Sequence, residues 1–245
     1  MTANPYLFIT SPDAEREGAI AYDFVSKSYV YAGRYKTGET CISGKFKPIY
    51  NRQRMAVFGK SGSGKTTWSS FIASSYHKQF PDRDIILISP HLKEDEKALA
   101  KQIGFIQQLE ISETPEPVDA TEEFKDCLVL IDDIKGFKTK AQNDFVAKLA
   151  HDLMYNCRKY GVSVVISNHQ LLDGPANKLL NFEAQLVTFF PQSKLAWRQI
   201  EAYCKKYLGL DTAAIEEIKG SQSRWITIAT ETPSYVLTEN KVYML

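Results

Sequence analysis

The segment Gly59-Lys60-Ser61-Gly62-Ser63-Gly64-Lys65-Thr66 carries the most specific pattern in this 245-residue chain. It fits the pattern G-x-x-x-x-G-K-[ST], in which glycines let backbone N–H groups surround phosphate oxygens without a Cβ atom in the way. An apolar segment, 55–58, precedes it, and a segment without proline or glycine, 67–76, follows it. The sequence therefore predicts a buried strand, a phosphate-binding turn and a helix whose N-terminus favours negative charge.

Positions within this loop predict the contacts to a nucleotide. Lys65 is expected to reach the β- and γ-phosphates of ATP, and the Thr66 hydroxyl is expected to bind Mg²⁺. ATP and Mg²⁺ are thus the predicted cofactors. A flexible turn is the alternative interpretation, and the flanking segments argue against it. The predicted nucleotide-binding residues are Gly59, Lys60, Ser61, Gly62, Ser63, Gly64, Lys65, Thr66 and Thr67.

Apolar strands alternate with helical segments in the rest of the chain. Continuous apolar strands joined by helices predict an α/β fold of the P-loop NTPase type, with a mainly parallel central sheet and helices on both faces. A C-terminal β hairpin is predicted from segments 225–230 and 235–243. The other predicted strands are 85–88, 127–131, 162–166 and 185–190, and the predicted helices are 94–102, 194–208, 212–219 and an amphipathic one around Val146, Leu149, Leu153 and Cys157.

Residues 1–50 are predicted to be an N-terminal accessory segment of the same domain, ahead of a P-loop ATPase domain at 51–245. A strand over 6–10, a helix over 12–27 and short extended pieces at 29–31 and 41–49 are expected there. No catalytic pattern is found in this segment.

Composition excludes several classes of protein. The net charge of +1 means that any nucleic-acid contact must rest on local patches. Four scattered cysteines without a C-x-x-C pair predict reduced thiols, not a metal site or a disulfide frame. No apolar run reaches membrane-spanning length, and the N-terminus is not a signal peptide. A soluble protein that is not secreted is expected.

Two adjacent carboxylates end the strand predicted at 127–131. Asp132, after four apolar residues, is expected to hold Mg²⁺ through water beside Thr66, because ligands of a parallel sheet gather at the carboxyl ends of the strands. Asp133 is expected to polarise the attacking water, which an ATP hydrolase needs and a kinase does not. Its side chain is shorter than that of the commoner glutamate, and assistance to the metal is the alternative role.

Polar residues also end the strand predicted at 162–166. Asn168 and Gln170 are equal candidates for a sensor of the γ-phosphate, with a loop cap as the alternative, and His169 is interpreted as a loop histidine. The strand at 85–88, between the phosphate loop and Asp132 in the chain, indicates the additional-strand catalytic (ASCE) class. The N-K-x-D motif of GTPases and the L-S-G-G-Q motif of transporter ATPases do not occur.

Together, segments 59–66, 128–134 and 164–170 resemble the genome-packaging ATPases of large DNA viruses, within the FtsK/HerA superfamily. The approach to the fourth strand, 158–162, and the C-terminal hairpin are also similar to theirs, and the likeness covers about residues 50–245. The resemblance implies a pentameric or hexameric ring around double-stranded DNA. It also implies capsid proteins or inner-membrane proteins of a virion as partners, and a location at virus assembly sites inside the host cell or in the virion.

In such a ring, each ATP site is completed by an arginine of the adjacent subunit. Arg158 is the predicted arginine and Arg198 the reserve, while a favourable charge at a helix C-terminus is the alternative role for Arg158. Lys135, Lys138 and Lys140 are the predicted contacts to DNA phosphates, with an ordinary solvated basic loop as the alternative.

The functional hypothesis is an ATP-hydrolysing motor that translocates viral double-stranded DNA into a preformed capsid. One rival is a nucleotide-gated assembly factor without translocation, and a related one is a DNA pump of the plasmid or conjugative type. The other rival, a small-molecule kinase, would need an arginine-rich lid, whereas the proline-rich segment 112–119 is acidic.

Overall fold

The computed structural model describes residues 19–23, 28–33, 52–91, 106–169, 183–230, 235–238 and 242–244. The strands are β1 (Ala19–Asp23), β2 (Ser28–Gly33), β3 (Arg54–Phe58), β4 (Ile85–Ile88), β5 (Gln107–Gln108), β6 (Leu128–Ile131), β7 (Ser163–Asn168), β8 (Leu186–Phe189), β9 (Ile226–Ala229), β10 (Tyr235–Leu237) and β11 (Val242–Met244). The helices are α1 (Lys65–Gln79), α2 (Ala120–Glu123), α3 (Lys140–Tyr160), α4 (Lys194–Leu208) and α5 (Thr212–Gly220).

The chain divides into two compact units, one of residues 48–185 and one of residues 1–47 with 186–245. The predicted accessory segment 1–50 ends close to the first division. Residues 186–245 group with that segment. That the whole chain is one domain stays a prediction.

In the unit 48–185, five strands form a parallel sheet in the order β3-β7-β6-β4-β5. Met55, Ala56 and Val57 on β3 are all fully buried. Successive residues of a strand point to opposite faces, so burial of consecutive residues means that both faces of the sheet are covered. The predicted α/β fold of the P-loop NTPase type is confirmed.

Strand β7 lies between β3, which precedes the phosphate-binding loop, and β6, which precedes Asp132. It pairs in parallel with β3 on one side and with β6 on the other. The ASCE arrangement is therefore present in space, and it is made by β7. The strand that separates the two motifs along the chain, β4, lies on the far side of β6.

Helix α3 shows how local sequence sets an element's ends. At its start, the Thr139 hydroxyl accepts a hydrogen bond from Gln142 N, and the Gln142 side chain accepts one from Thr139 N, which is a capping box. It ends at Gly161, whose φ of 74° lies in the left-handed region. Its apolar face buries the predicted stripe of residues, Val146, Leu149, Ala150, Leu153, Met154 and Cys157.

In the unit that includes residues 186–245, strands pair in the order β8-β9-β10-β11-β1-β2. All these pairs are antiparallel except β1 with β11. Thr188 and Thr227 join β8 and β9 through a buried hydroxyl pair at 2.8 Å. The ring of Tyr203 on α4 packs edge-on against Phe189, with centroids 5.2 Å apart.

Two of the predicted elements are wrong. Residues 19–23 are strand β1, not part of a helix over 12–27, because they pair with both β2 and β11. Long-range strand pairing overrides a local helical pattern. The predicted strand 235–243 is two strands, β10 and β11, that pair with each other. Short elements β5 and α2 were not predicted. Segments 6–10, 41–49 and 94–102 lie outside the described residues.

The cysteines that the structure describes, Cys127, Cys157 and Cys204, are buried and free. Burial raises the pKa of Cys127 and of Cys204 to about 12, and it also raises the pKa of Cys157. The predicted core positions are confirmed for these three residues, and Cys41 lies outside the described part. None of the described helices is long and apolar enough to cross a membrane.

The ends of α3 and α4 offer a matched test of packing. Gly161 and Gly209 both have positive φ, but a Cβ at Gly161 would collide with the Asp126 carboxylate, whereas nothing lies within 4 Å of one at Gly209. We expect Gly209→Ala to lower the free energy of unfolding by about 1 kcal/mol, the cost of left-handed backbone. Gly161→Ala should cost at least about twice as much, measured by urea unfolding followed by circular dichroism. Equal losses would show that contact with Asp126 is immaterial.

Candidate nucleotide site

The phosphate-binding loop, residues 59–64, joins the end of β3 to the start of α1. Gly62 and Gly64 have φ values of 71° and 106°, a region that side chains with a Cβ rarely adopt. Ser63 N donates to Lys60 O at 3.2 Å, and Trp68 N donates to Gly64 O at 2.9 Å, so the turn runs directly into the helix. The glycine spacing thus produces the predicted strand, turn and helix.

Lys65 is the buried cation of this loop. Lys65 is only 7% exposed, and its Nζ donates to Gly59 O at 2.9 Å and to Lys60 O at 3.1 Å. A buried ammonium group needs such acceptors to offset the loss of hydration. The positive charge is therefore held inside the loop where the phosphates of a nucleotide are predicted to bind.

Thr66 and Asp132 line one pocket, together with Ser69, Ser167 and four apolar residues of β4, β6 and β7. Asp132 follows β6 directly, and its N–H donates to Ile88 O at 2.9 Å, which extends the pairing of β4 with β6. Mg²⁺ prefers hard oxygen ligands and is usually bound by few protein groups together with water and phosphate oxygens. A hydroxyl and a carboxylate around one pocket fit that requirement.

Asp133 has a left-handed backbone, with φ of 46°, which aspartate tolerates better than most residues. Its carbonyl accepts a hydrogen bond from Gly136 N at 2.9 Å. A Cβ at Gly136 would lie 2.5 Å from Asp133 Oδ2 and 2.9 Å from Pro90 Cγ. Only glycine allows the chain to pass this close to the carboxylate, so the turn fixes where the carboxylate can lie.

His169 connects the two halves of the site. Its Nδ1 lies 3.4 Å from Lys65 Nζ, and its Nε2 lies 3.3 Å from Asp133 Oδ2. The sequence interpretation of His169 as a loop histidine missed this arrangement. The available signal was its position at the carboxyl end of a strand, but its neighbours depend on the strand order, which the sequence does not show.

Asn168 ends β7 beside the phosphate-binding loop. Its carbonyl accepts from Gly59 N at 3.2 Å, and its side-chain Oδ1 accepts from His169 N at 2.7 Å. The amide of this 4% exposed residue therefore shapes the turn that presents His169. Gln170 lies outside the described residues, so the choice between Asn168 and Gln170 as sensor stays a prediction.

Residues 134–140, called the lysine loop below, comprise the connection from Asp133 to α3 and the first residue of that helix, and they carry the three predicted DNA contacts. Lys135, Lys138 and Lys140 are exposed, and none of them forms an ion pair within the described ranges. Asn143 fixes the loop: its Oδ1 accepts from Phe137 N at 3.2 Å, and its Nδ2 donates to the carbonyls of Phe137 at 2.9 Å and Thr139 at 2.7 Å. The three cations thus extend from a loop whose backbone is held in place.

The structure does not bring Arg158 to the phosphate-binding loop of its own unit. Arg158 is exposed in the last turn of α3, just before β7 begins, whereas Asn168 ends that strand. Six residues of strand separate these edges by about 20 Å. Arg198 is exposed on α4, in the other unit. Arg158 could therefore act only in a neighbour's site, and the roles of Arg158 and Arg198 both stay predictions.

Several solved structures are similar in fold to this chain. The DNA-packaging ATPase B204 from Sulfolobus turreted icosahedral virus has a TM-score of 0.49 and 13% identity, over 79% of this chain and 96% of that one. The genome packaging NTPase B204 from Sulfolobus turreted icosahedral virus 2, in complex with AMP, has a TM-score of 0.46 and 12% identity, over 79% and 97%. A DnaB-like replicative helicase has a TM-score of 0.43 and 13% identity, over 79% and 58%.

Similarity in sequence is stronger to one viral protein. No profile of a known protein family matches the chain. Uncharacterized protein V3 of Sputnik virophage is 33% identical over 204 residues, which cover 80% of this chain and 80% of V3. The identity extends over most of both chains, and so this chain belongs to the same protein family as V3 of Sputnik virophage.

Proposed function

We propose that this chain is an ATP-hydrolysing motor that translocates viral double-stranded DNA into a preformed capsid. The observation that supports it most is the contact of His169 with both Lys65 and Asp133, beside the pocket that Thr66 and Asp132 line. A buried phosphate-binding cation, two oxygen ligands for a metal and a second carboxylate are the parts that hydrolysis of ATP requires.

Each part has a role in this proposal. Lys65 binds the β- and γ-phosphates, and Thr66 and Asp132 hold Mg²⁺, which when bound neutralises phosphate charge. Asp133 orients the attacking water and accepts its hydrogen bond. Asn168 holds the turn after β7 against Gly59, which keeps the end of β7 beside the phosphates.

Charge argues against a small-molecule kinase. A kinase lid would close arginines over the phosphates of ATP, whereas the segment after β5 carries the exposed acidic residues Glu113 and Glu116. Water, placed by Asp133, is the acceptor that the described residues favour. Release of phosphate without any added acceptor is therefore part of the proposal.

The viral and DNA parts of the proposal rest on kinship and on charge. The family includes a protein of a virophage, which supports a viral setting for the motor. The lysine loop presents three cations directly after Asp133, so a change at the carboxylate can move groups suited to DNA phosphates. A ring of five or six subunits at virus assembly sites, with an arginine acting between subunits and a capsid protein as partner, completes the proposal.

Loss of the Asp133 charge should stop hydrolysis but not binding. We expect Asp133→Asn to lower kcat for ATP by about 10²- to 10⁴-fold, since a general base contributes a factor of that size. The Kd for Mg²⁺-ATP should change less than about threefold, because the phosphate-binding loop is untouched. Phosphate release with and without double-stranded DNA measures the first effect, and calorimetric titration measures the second.

Asp144→Asn is the matched control, because Asp144 is an exposed carboxylate on α3. It should leave kcat unchanged. Full hydrolysis by Asp133→Asn would contradict the assigned role, and DNA packaging that continues after hydrolysis is lost would contradict the motor.

An arginine supplied by the adjacent subunit can be detected by mixing inactive subunits. Arg158→Ala subunits keep a complete nucleotide-binding loop, and Lys65→Ala subunits keep the arginine. In a ring with one heterologous contact per subunit, an equal mixture should restore about a quarter of the wild-type ATPase rate. The rate is measured in rings shown to contain both variants.

A mixture of Lys65→Ala with Asp133→Asn is the control, because both changes disable the same side of the interface and no complete site can form. No recovery with Arg158→Ala at any ratio would exclude Arg158, and the same mixture made with Arg198→Ala then tests the reserve candidate.

The lysine loop should set the salt dependence of DNA binding. Replacement of Lys135, Lys138 and Lys140 by alanine removes up to three phosphate contacts, so the slope of log K against log [salt] should become shallower by about 2 to 3. Fluorescence anisotropy with a labelled duplex measures the slope, and binding should weaken equally for unrelated sequences.

A triple alanine variant at the exposed residues Lys125, Lys148 and Lys159 removes the same charge elsewhere on the unit. It should change the slope by much less. Equal effects of the two triple variants would mean that DNA responds to net charge and not to this loop.

A further inference from the structure

We infer that His169 is the positioning residue that sets the Asp133 carboxylate relative to the γ-phosphate held by Lys65. The inference deepens the proposed function and rests on it, because it concerns how the same site orients water for hydrolysis.

The groups around His169 fix the direction of its hydrogen bonds. Lys65 Nζ has only donors, so Nδ1 of His169, 3.4 Å away, must accept from it. A neutral imidazole with a lone pair on Nδ1 carries its proton on Nε2, which faces Asp133 Oδ2 at 3.3 Å. Donation therefore runs in one direction, from Lys65 through the ring to Asp133, and this assigns the tautomer.

The turn that carries the His169 ring is held by hydrogen bonds. His169 N donates to Asn168 Oδ1 at 2.7 Å, and the Asn168 carbonyl accepts from Gly59 N at 3.2 Å. The backbone of His169 is thus tied to the phosphate-binding loop by the residue before it. Its side chain is 41% exposed, so it is fixed mainly by these polar contacts and not by packing.

The turn after Asp133 limits the other side of its carboxylate. Gly136 lies so close to Asp133 that a Cβ at Gly136 would be 2.5 Å from Oδ2, and on its other contact 2.9 Å from Pro90 Cγ. The carboxylate, 20% exposed, is therefore limited by backbone on one side and directed by Nε2 of His169 on the other. A residue that positions a general base contributes to kcat through that base, and it contributes little to ground-state binding.

Two substitutions distinguish the roles of the two ring nitrogens of His169. His169→Gln keeps a donor near the place of Nε2, within reach of Asp133, whereas His169→Asn keeps a group near the place of Nδ1 that reaches only Lys65. We expect His169→Gln to keep kcat for ATP within about tenfold of wild type. The kcat values of His169→Asn and His169→Ala should be more than about tenfold lower than that of His169→Gln. The Kd for Mg²⁺ with AMPPCP should stay within about threefold in all three variants.

The matched control is His151→Gln, because His151 is an exposed histidine that stacks on Tyr155 of the same helix, with ring centroids 4.8 Å apart. It should leave kcat and Kd unchanged. Equal kcat for His169→Gln and His169→Asn, or a loss of AMPPCP binding with kcat preserved, would overturn the positioning role.

The outcome also distinguishes the inference from the function it rests on. An active wild type with an unaffected His169→Ala variant overturns the inference alone. A wild type that binds AMPPCP but hydrolyses no ATP, with or without double-stranded DNA, overturns the proposed function and the inference with it.

Discussion

Parallel pairing of β7 with both β3 and β6 is the constraint on which the site depends. The register places Asn168 opposite Phe58, at the last residue of β3, and Ile166 opposite Ile131, at the last residue of β6. The phosphate-binding loop, the two aspartates and His169 therefore leave the sheet at the same edge. A slip of two residues in either pairing would move one group by about 7 Å, which is more than any hydrogen bond in the site can bridge.

Burial of the strands maintains that register. Every residue of β4, β6 and β7 is buried, and hydrophobic side chains alternate onto two covered faces. A shift by one residue would exchange the two faces, and a shift by two would leave apolar side chains without partners. The rigid sheet allows the polar groups to be positioned by short turns with little packing of their own. The energetic cost of these turns, seen in the left-handed backbone of Asp133, is offset by the core beneath them.

What the sequence predicts well is what depends on neighbours in the chain. Glycine spacing identifies the phosphate-binding loop, apolar runs identify β4 and β6, and an amphipathic stripe identifies α3, because each depends on local geometry. Helix α4 begins and ends where predicted, since Ser193 caps one end and Gly209 the other. Where pairing partners are distant, the prediction fails: β1 is held by β11, more than 200 residues along the chain, and a local helical pattern is overridden.

His169 illustrates the same limit within the site. The role inferred for His169 rests on two contacts, to Lys65 and to Asp133, and both require that β7 lie between β3 and β6. The sequence places the histidine after a strand but does not order the strands, so the residue could not be distinguished from any other loop histidine. The connection between Asp133 and the lysine loop is local instead, since the hydrogen bond from Gly136 N to Asp133 O joins them within four residues of the chain. The carboxylate is thus linked to Lys65 across the sheet, through His169, and to surface cations along the chain. In the proposed motor, this short covalent and hydrogen-bonded path joins the groups assigned to hydrolysis to the cations assigned to DNA, and any coupling along it requires that the turn after Asp133 adopt two arrangements.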